Sequence, residues 1–417
     1  MTNDQTIHII GGGIIGLTSA WYLLDEGYKV TVIDKSDYSD GTSHGNAGMI
    51  VPSHFVPMTT PGVISQGLKW MFDKKSPFYV KPRLNLDLMQ WLWKFYRSCN
   101  QAHVDRCMPI LYDYNEWSKT LYRDFAKDER FAFSFQEVGL LMLYRSKHQE
   151  KEEVELAEKA NSLGIAANVL SGTELTQLEP NIKLDALGGV HFPGDAHLYP
   201  NRFINQLRKE LGNRGAQFLS GTEVVDFGTS NGKISSLKLQ DNTRIAISNL
   251  VIASGSWTPF ILKKLGIKIL LQDGKGYSIT LNNPNKKPSI PTILTEAKVA
   301  LTPMGNDLRI GGTLELGGLS SKIQKSRLDG ILDSVPKYYP EIKPTPQNAG
   351  TVWMGYRPCS ADGMPFLGRS TEFNNLIVAS GHGMMGMSMG PATGKIVSEI
   401  ASGKVPSIDL SLMSINR

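Results

Sequence analysis

Gly11, Gly13 and Gly16 stand at G-x-G-x-x-G spacing, after a short apolar run at residues 7–10 and at the head of a helical segment expected from Ile14 to Glu26. That spacing suits a pyrophosphate. Gly11 permits a tight turn, Gly13 lets the backbone approach the phosphates, and Gly16 lets the helix pack close to the sheet. The first helical residues, Ile14 and Ile15, bring unpaired N–H groups and the positive end of a helix dipole. Asp34, followed by Lys35, closes a second strand that starts at Lys29, and its carboxylate can accept hydrogen bonds from a ribose. Strand, helix, strand and terminal acid in register predict a dinucleotide site. They do not separate a flavin from a nicotinamide dinucleotide.

Two further segments carry chemistry. Residues 41–49 are small and polar, with Ser43, His44, Asn46, Ala47, Gly48 and Met49, so their backbone can lie against a flat ligand. Near the C-terminus, Gly381-His382-Gly383-Met384-Met385-Gly386 repeats the glycine spacing after a buried strand expected at 376–380. Only one helix, expected at 391–401, follows it, so no second complete βαβ unit can form there. The better reading is a helix start whose dipole faces the ring of a bound cofactor and stabilises the anion that develops on reduction.

The elements that must position these residues fill the rest of the chain. Helix is expected through most of 60–125, interrupted early by Pro61, Pro77 and Pro82, and again at 149–163 and 201–211. Strands are expected within 135–145, around Glu223–Val225, at Ile234–Leu239 and at Asn249–Ala253. Polar–apolar alternation over 274–316 predicts an antiparallel sheet.

With 417 residues the chain exceeds one compact core. At 41% hydrophobic and 20% charged it reads as an ordinary globular protein. The net charge of +5 is no footprint of a nucleic-acid binder. Three cysteines without C-x-x-C spacing argue against a disulfide framework or a zinc site. Cys99 and Cys107 are expected on one helix, where eight residues separate them by roughly 12 Å, too far to bridge. Reduced thiols, no leader-like N-terminus and no apolar run of about 20 residues fit a cytoplasmic protein. His191, Asp195 and His197 resemble a turn more than a metal site, and no metal is expected.

The segment Ser43-His44-Gly45-Asn46-Ala47-Gly48, together with Gly11–Gly16 and Asp34, resembles the D-amino acid oxidase-like family of FAD-dependent oxidoreductases. Its Ser-x-x-Asn-Ala-Gly pattern is most similar to the bacterial D-amino acid dehydrogenase branch. Further matches are Lys275-Gly276-Tyr277-Ser278, Arg309-Ile310-Gly311-Gly312, Gly355-Tyr356-Arg357-Pro358 with Asp362-Gly363-Met364-Pro365, and the Gly381–Gly386 loop. Residues 251–257 resemble the family's second glycine segment against the adenine. The resemblance implies an α/β fold, with an FAD-binding Rossmann-like (glutathione-reductase-type) domain interleaved with an α+β substrate domain on a mixed or antiparallel sheet. The expected boundaries are 1–60, 146–185, 198–268 and 345–417 for the FAD-binding domain, and 61–145, 186–197 and 269–344 for the substrate domain.

The resemblance also implies non-covalent FAD, bound in addition by Val224, Ala253, Gly255 and Trp257. Attachment through His44 or Cys359 does not fit, because the flanking residues depart from those of relatives with covalent flavin. The implied reaction is hydride removal from the α carbon of a small amino acid. A carboxylate substrate asks for a planar cationic fork, and Arg357 is the candidate. Tyr277 is the second expected donor. Tyr356 neighbours Arg357 but points to the opposite face if the segment is extended, so one of the two lines the pocket. His382 would sit beside the flavin, and His54 is assigned to the substrate side. A cyclic imino acid dehydrogenase and a glycine- or sarcosine-type oxidase are close alternatives; an NAD(P)-dependent dehydrogenase lacks its nicotinamide-side motifs here. Residues 67–97 hold Trp70, Trp91 and Trp93 among Lys69, Lys74, Lys75, Lys81, Arg83, Lys94 and Arg97, opposed by Asp73 and Asp87. Such a segment suits an anionic bilayer and a quinone or respiratory-chain electron acceptor on the inner face of the cell membrane.

Overall fold

The computed structural model describes residues 6–39, 41–71, 75–83, 85–345 and 350–417. Two large sheets organise the chain. The first has the strand order 366–369, 376–380, 249–252, 6–10, 29–33, 217–219; all neighbours are parallel except the first pair. Its central strands are buried along most of their length, His8 and Thr31 included, because both faces are covered.

Helix Ile14–Asp25 crosses the C-terminal helix Gly386–Ala401 on one face. The crossing is close because Gly390 and Gly394 carry no side chains: a Cβ on Gly390 would press on Ile14, and one on Gly394 would overlap the Thr18 backbone. Thr18 Oγ1 donates to Gly390 O across the contact at 2.8 Å. The C-terminal helix starts at Gly386, five residues before the expected Pro391. Pro391 has no N–H for the Met387 carbonyl, one turn back. The buried Tyr122 hydroxyl donates to that carbonyl at 2.7 Å instead, so the helix continues through the proline.

The second sheet has the order 353–360, 271–281, 307–316, 299–304, 292–294, 140–144, 188–192, 168–171, with strand 78–80 also paired to 307–316. It is mixed, since 292–294 runs parallel to 140–144 while most pairs are antiparallel. One face packs Ile279, Leu301 and Ile310 on Ile331 and Val335 of helix Lys325–Tyr338. The other face looks towards the first domain.

Sheet membership and helix packing correct three expected boundaries. Segment 146–185 supplies strand Asn168–Ser171 to the second sheet, not to the dinucleotide domain. Strand Trp353–Ser360, expected with the C-terminal part of that domain, is the second sheet's edge. Helix Gln101–Lys127, expected on the substrate side, packs on the C-terminal helix of the first domain: Tyr114 Oη lies 2.6 Å from Thr393 Oγ1, and Ser388 Oγ donates to Asn115 Oδ1 at 2.7 Å. These side chains pair across more than 270 positions of the chain, which a boundary drawn along the sequence does not register. The helical reading of 60–125 is also divided, into Val63–Met71, strand Phe78–Val80, Leu86–Ser98 and Gln101–Lys127. Pro77 and Pro82 flank the strand. Cys99 caps one helix and Cys107 lies in the next, so they do not share one.

Candidate active site

A cavity of about 2180 Å³ runs between the two sheets, from the Gly11–Gly16 turn to the substrate-side sheet. Ordinary small-molecule pockets hold roughly 300–1,000 Å³, so this one has room for a dinucleotide and a second ligand.

At the dinucleotide end, Gly11 adopts φ +113°, and its N–H donates to Ile33 O at 2.9 Å. Gly13 is the N-cap of helix Ile14–Asp25, and the space where its Cβ would stand meets only Ser43 Oγ, at 3.4 Å. That opening leaves room for a phosphate at the helix start. Ile14 N donates to Ser43 Oγ at 3.1 Å, while Ile15 and Gly13 also face the cavity. Asp34 accepts from Gly12 N at 2.6 Å and from Ser36 N at 2.9 Å; its carboxylate thus braces the glycine turn as well as bordering the cavity. Lys35 Nζ stands 3.9 Å over the Trp257 ring. Val224, Ala253 and Gly255 complete this arm.

The 41–49 loop is held from the substrate side. Buried Arg309, on strand Asp307–Leu316, donates through Nη1 to His44 O (2.7 Å) and Asn46 O (2.9 Å), through Nη2 to Asn201, and through Nε to Thr280 Oγ1. Ser278 Oγ donates to Gly45 O at 2.9 Å. The Trp353 ring fills the space that a side chain at Gly45 or Gly355 would need. Asn46 Oδ1 accepts from Gly48 N at 2.8 Å and sets the bend into Met49. The type of Arg309 does not mark it as a site residue, because an arginine two residues before a glycine pair gives no sign of which carbonyls it reaches.

At the C-terminal loop, Gly381 and Gly383 have φ of +83° and +55°, and Gly383 N donates to Pro358 O at 2.9 Å. The start of the final helix, with Met384, Met385 and Gly386, borders the cavity as expected from the repeated glycine spacing. His382 is buried and its Nε2 lies 3.1 Å from Thr393 Oγ1. Burial pushes its pKa down to about 3, so the ring stays neutral. It bridges the loop to the helix core, an arrangement that does not suit a general base.

Arg357 projects from the edge strand into the cavity wall. Its guanidinium occupies the space left by the missing side chain of Gly276, and Nη1 donates to Thr313 O at 2.5 Å. No carboxylate among the described residues pairs with it, and burial holds its pKa below the usual arginine range. The contrast with Arg309 is instructive. Arg309 spends its donors on protein oxygens, whereas Arg357 faces a cavity with one carbonyl.

Tyr277 is not brought beside Arg357. Its hydroxyl donates to Glu315 Oε1 at 2.6 Å and accepts from Gln324 N, and its ring belongs to the core below the sheet. Lys275 stands 3.3 Å from the same carboxylate. Strand alternation puts the Tyr277 side chain on the face opposite Gly276 and Ser278; Tyr277 still borders the cavity, but its hydroxyl is spent on Glu315. Tyr356 likewise packs edge-on against Trp257, with centroids 6.0 Å apart, on the dinucleotide arm and not with Arg357. The edge strand lies between the two arms, so both of its faces border the cavity. His54 also borders the cavity, with Lys298 close enough to act on its charge. Among the described residues no group of three or more His, Cys, Asp or Glu side chains is arranged to hold a metal ion.

Residues 6–400 match the DAO family, described as FAD dependent oxidoreductase. The chain belongs to that family. It is 31% identical over 98% of both chains to a D-amino acid dehydrogenase of Granulibacter bethesdensis, and 32% identical over 95% of both to one of Helicobacter pylori. In fold it is similar to glycine oxidase from Geobacillus kaustophilus (TM-score 0.79, 21% identity, 99% of each chain) and to L-proline dehydrogenase from P. horikoshii (TM-score 0.74, 21% identity, 100% of this chain and 98% of the other).

The residues present fit FAD. The open Gly13 cradle at a helix start, Asp34 at the strand end and the backbone-lined loop at 44–49 offer, in order, for phosphate, ribose and ring, the groups a flavin dinucleotide needs. When bound, FAD supplies the acceptor for a hydride; the protein supplies binding, orientation and electrostatics.

Proposed function

We propose that this chain oxidises a small amino acid, a D-amino acid, at the carbon bearing the nitrogen. The resulting imino acid hydrolyses to a 2-oxo acid and ammonia. The observation that carries the reading is Arg357, a half-buried cation without a carboxylate partner on the wall of a cavity suited to FAD. An uncompensated cation in such a place is costly and asks for an anionic ligand. The D configuration and the dehydrogenase class rest on the names of the relatives. The FAD is held without a covalent bond; Cys359 is buried and its thiol is pushed up to about 12, far from a reactive thiolate. The deciding measurement is anaerobic mixing of the purified protein with D- and L-amino acids, glycine, sarcosine and prolines while the flavin absorbance is followed. Bleaching by small D-amino acids is expected. Bleaching by glycine and sarcosine alone, by prolines alone, or by nothing, would each overturn the assignment.

We also infer a peripheral contact with the inner face of the cell membrane, with a quinone as electron acceptor. Two amphipathic helices, Val63–Met71 and Leu86–Ser98, leave Leu68, Leu86, Met89, Leu92, Trp93 and Tyr96 exposed, with Leu86 at 68% and Trp93 at 62%. Four of them, Leu68, Met89, Leu92 and Tyr96, rim the cavity. Trp91 is instead buried, with Nε1 donating to Cys359 O, so it does not serve the contact. Arg97 lies over Trp93 at 6.0 Å, and Arg83 lines the cavity that these residues rim. Asp73, Lys74 and the side chain of Lys69 lie outside the described residues. No described helix is long and apolar enough to cross a membrane. Cosedimentation with phosphatidylglycerol vesicles should exceed that with phosphatidylcholine and weaken in salt. Trp93→Glu should lower it roughly tenfold or more, as expected for losing about 1.5–3 kcal/mol of side-chain burial. Equal sedimentation of the variant would remove this face from the assignment.

A further inference from the structure

Behind His54 stands a buried chain of polar groups that the binding of FAD and of a carboxylate leaves unused. Asp195 is 1% exposed. Its Oδ1 accepts from Ser53 N at 3.0 Å, and its Oδ2 accepts from Ser53 Oγ at 2.5 Å. Ser53 Oγ in turn lies 3.2 Å from His54 Nδ1, and the His54 ring borders the cavity. The three groups come from two turns, at 51–54 and 192–195, brought together where strand Met49–Ile50 pairs with Ala196–His197.

The hydrogens can be assigned by counting. Ser53 has one O–H, and an ionised Asp195 takes it; a 2.5 Å O···O separation is that of a charge-assisted bond. Ser53 Oγ must then accept from His54 Nδ1–H. The neutral imidazole is left with its lone pair on Nε2, the nitrogen that Ser53 does not engage.

An amino acid reaches the cavity as an ammonium ion. Its α carbon can lose a hydride only once the nitrogen has a lone pair, so one N–H proton must leave first. We propose that Asp195, Ser53 and His54 form a relay that takes this proton. The inference rests on the amino-acid reading given above. An N–H bond of the ammonium breaks and one forms at His54 Nε2. The Nδ1 proton passes to Ser53 Oγ as the serine's own proton passes to Asp195 Oδ2. The ammonium becomes an amine, the carboxylate becomes a carboxylic acid, and the imidazole ends neutral in its other tautomer. His54 is the catalytic residue, while Ser53 and Asp195 are positioning residues that act through it.

The surroundings favour this division. Burial, aided by Lys298, pushes the His54 pKa down to about 4, so an imidazolium does not accumulate. Burial pushes the Asp195 carboxyl up to about 7, so the acid can hold the proton. Helix Gln101–Lys127 turns Lys119, Glu116 and Tyr112 towards Asp195. The Lys119 ammonium is engaged by Glu116 at 2.8 Å and by Gly194 O at 2.7 Å. His197, two residues along, is pushed down to about 4 by burial and stays neutral alongside it.

The test reads the tautomer directly. Two-bond ¹H–¹⁵N NMR of the imidazoles in the FAD-loaded protein should show His54 protonated on Nδ1 above about pH 8 and on Nε2 below about pH 6, the exchange following Asp195. Asp195→Asn should abolish the exchange. Anaerobic bleaching by D-alanine should fall roughly a hundredfold or more at neutral pH in Asp195→Asn and Ser53→Ala. In both variants it should then rise about tenfold per pH unit towards the amine's own pKa. A His54 tautomer that ignores pH in the wild type overturns the relay. So do variants with altered KM but the wild-type pH profile. If Asp195→Asn fails to fold, Ser53→Ala, which removes a single hydroxyl, decides alone. Failure of every amino acid to bleach the wild type is a different result: it overturns the amino-acid reading itself.

Discussion

Replacing Arg357 by alanine should raise KM for the amino acid steeply while the protein stays yellow. The guanidinium sits where Gly276 has no side chain, with Thr313 O as its protein acceptor and a cavity in front of it. A substrate carboxylate would complete its hydrogen bonding, and removing one partner of such a desolvated pair costs about 2–5 kcal/mol. The expected loss in kcat/KM is therefore roughly thirtyfold to a few thousandfold. Steady-state kinetics together with the flavin-to-protein absorbance ratio measure both halves of the prediction. Arg357→Lys keeps a charge but loses the planar fork, so it should recover only part of the loss. Loss of the flavin in Arg357→Ala would mean that the residue holds the fold, and the carboxylate would need another anchor. Gly276→Ala tests the same geometry from the other side, since its methyl group would overlap the guanidinium.

Gly16→Ala should weaken FAD binding and lower the flavin content of the purified protein. A Cβ at this position would overlap Gly11 O, with Gly11 C at 3.0 Å, and both are backbone atoms that cannot turn aside. Either the helix withdraws from the turn or the Gly11 peptide rotates. Gly11 sits at φ +113° under Ala253, so rotation is blocked as well. Withdrawal moves the Gly13 cradle and the helix N-terminus away from the phosphates. Overpacking of this kind costs typically 1–3 kcal/mol, which would weaken FAD binding roughly fivefold to a hundredfold. Titration of the apoprotein with FAD, followed by flavin fluorescence quenching, gives the affinity. Thermal unfolding in the absence of FAD separates the cofactor effect from a general loss of stability. Unchanged affinity would show that the helix start does not contribute to phosphate binding.

The dinucleotide half of the site was legible because its chemistry is local. A pyrophosphate needs backbone N–H groups, a sharp turn and a helix start within a few residues, and only glycine tolerates that crowding. Gly11, Gly13, Gly16 and Asp34 therefore announce themselves by type and spacing. The repeated glycines at 381–386 are legible for the same reason. Their helix runs further towards the N-terminus than Pro391 suggests, because a hydroxyl from Tyr122, 269 positions away in the chain, supplies the missing hydrogen bond.

The substrate half was legible only in part. Arg357 stands out by type, because a carboxylate asks for a planar cation, and the structure puts it on the cavity wall. Its neighbours could not be sorted the same way. Tyr277 and Tyr356 have the right functional groups, yet strand alternation and the position of the edge strand send one to Glu315 and the other to Trp257.

What the sequence by itself determined is the strand–glycine-turn–helix unit and the family, both set by short-range spacing or by residue chemistry. Only the tertiary structure decided which polar groups share a hydrogen bond across the chain: Arg309 with the carbonyls of His44 and Asn46, Ser53 with Asp195, and the 101–127 helix with the first domain. The physical reason is that a hydrogen bond depends on distances of about 3 Å and on direction. Between residues more than a hundred positions apart, packing of the two sheets sets both, and no local pattern records it.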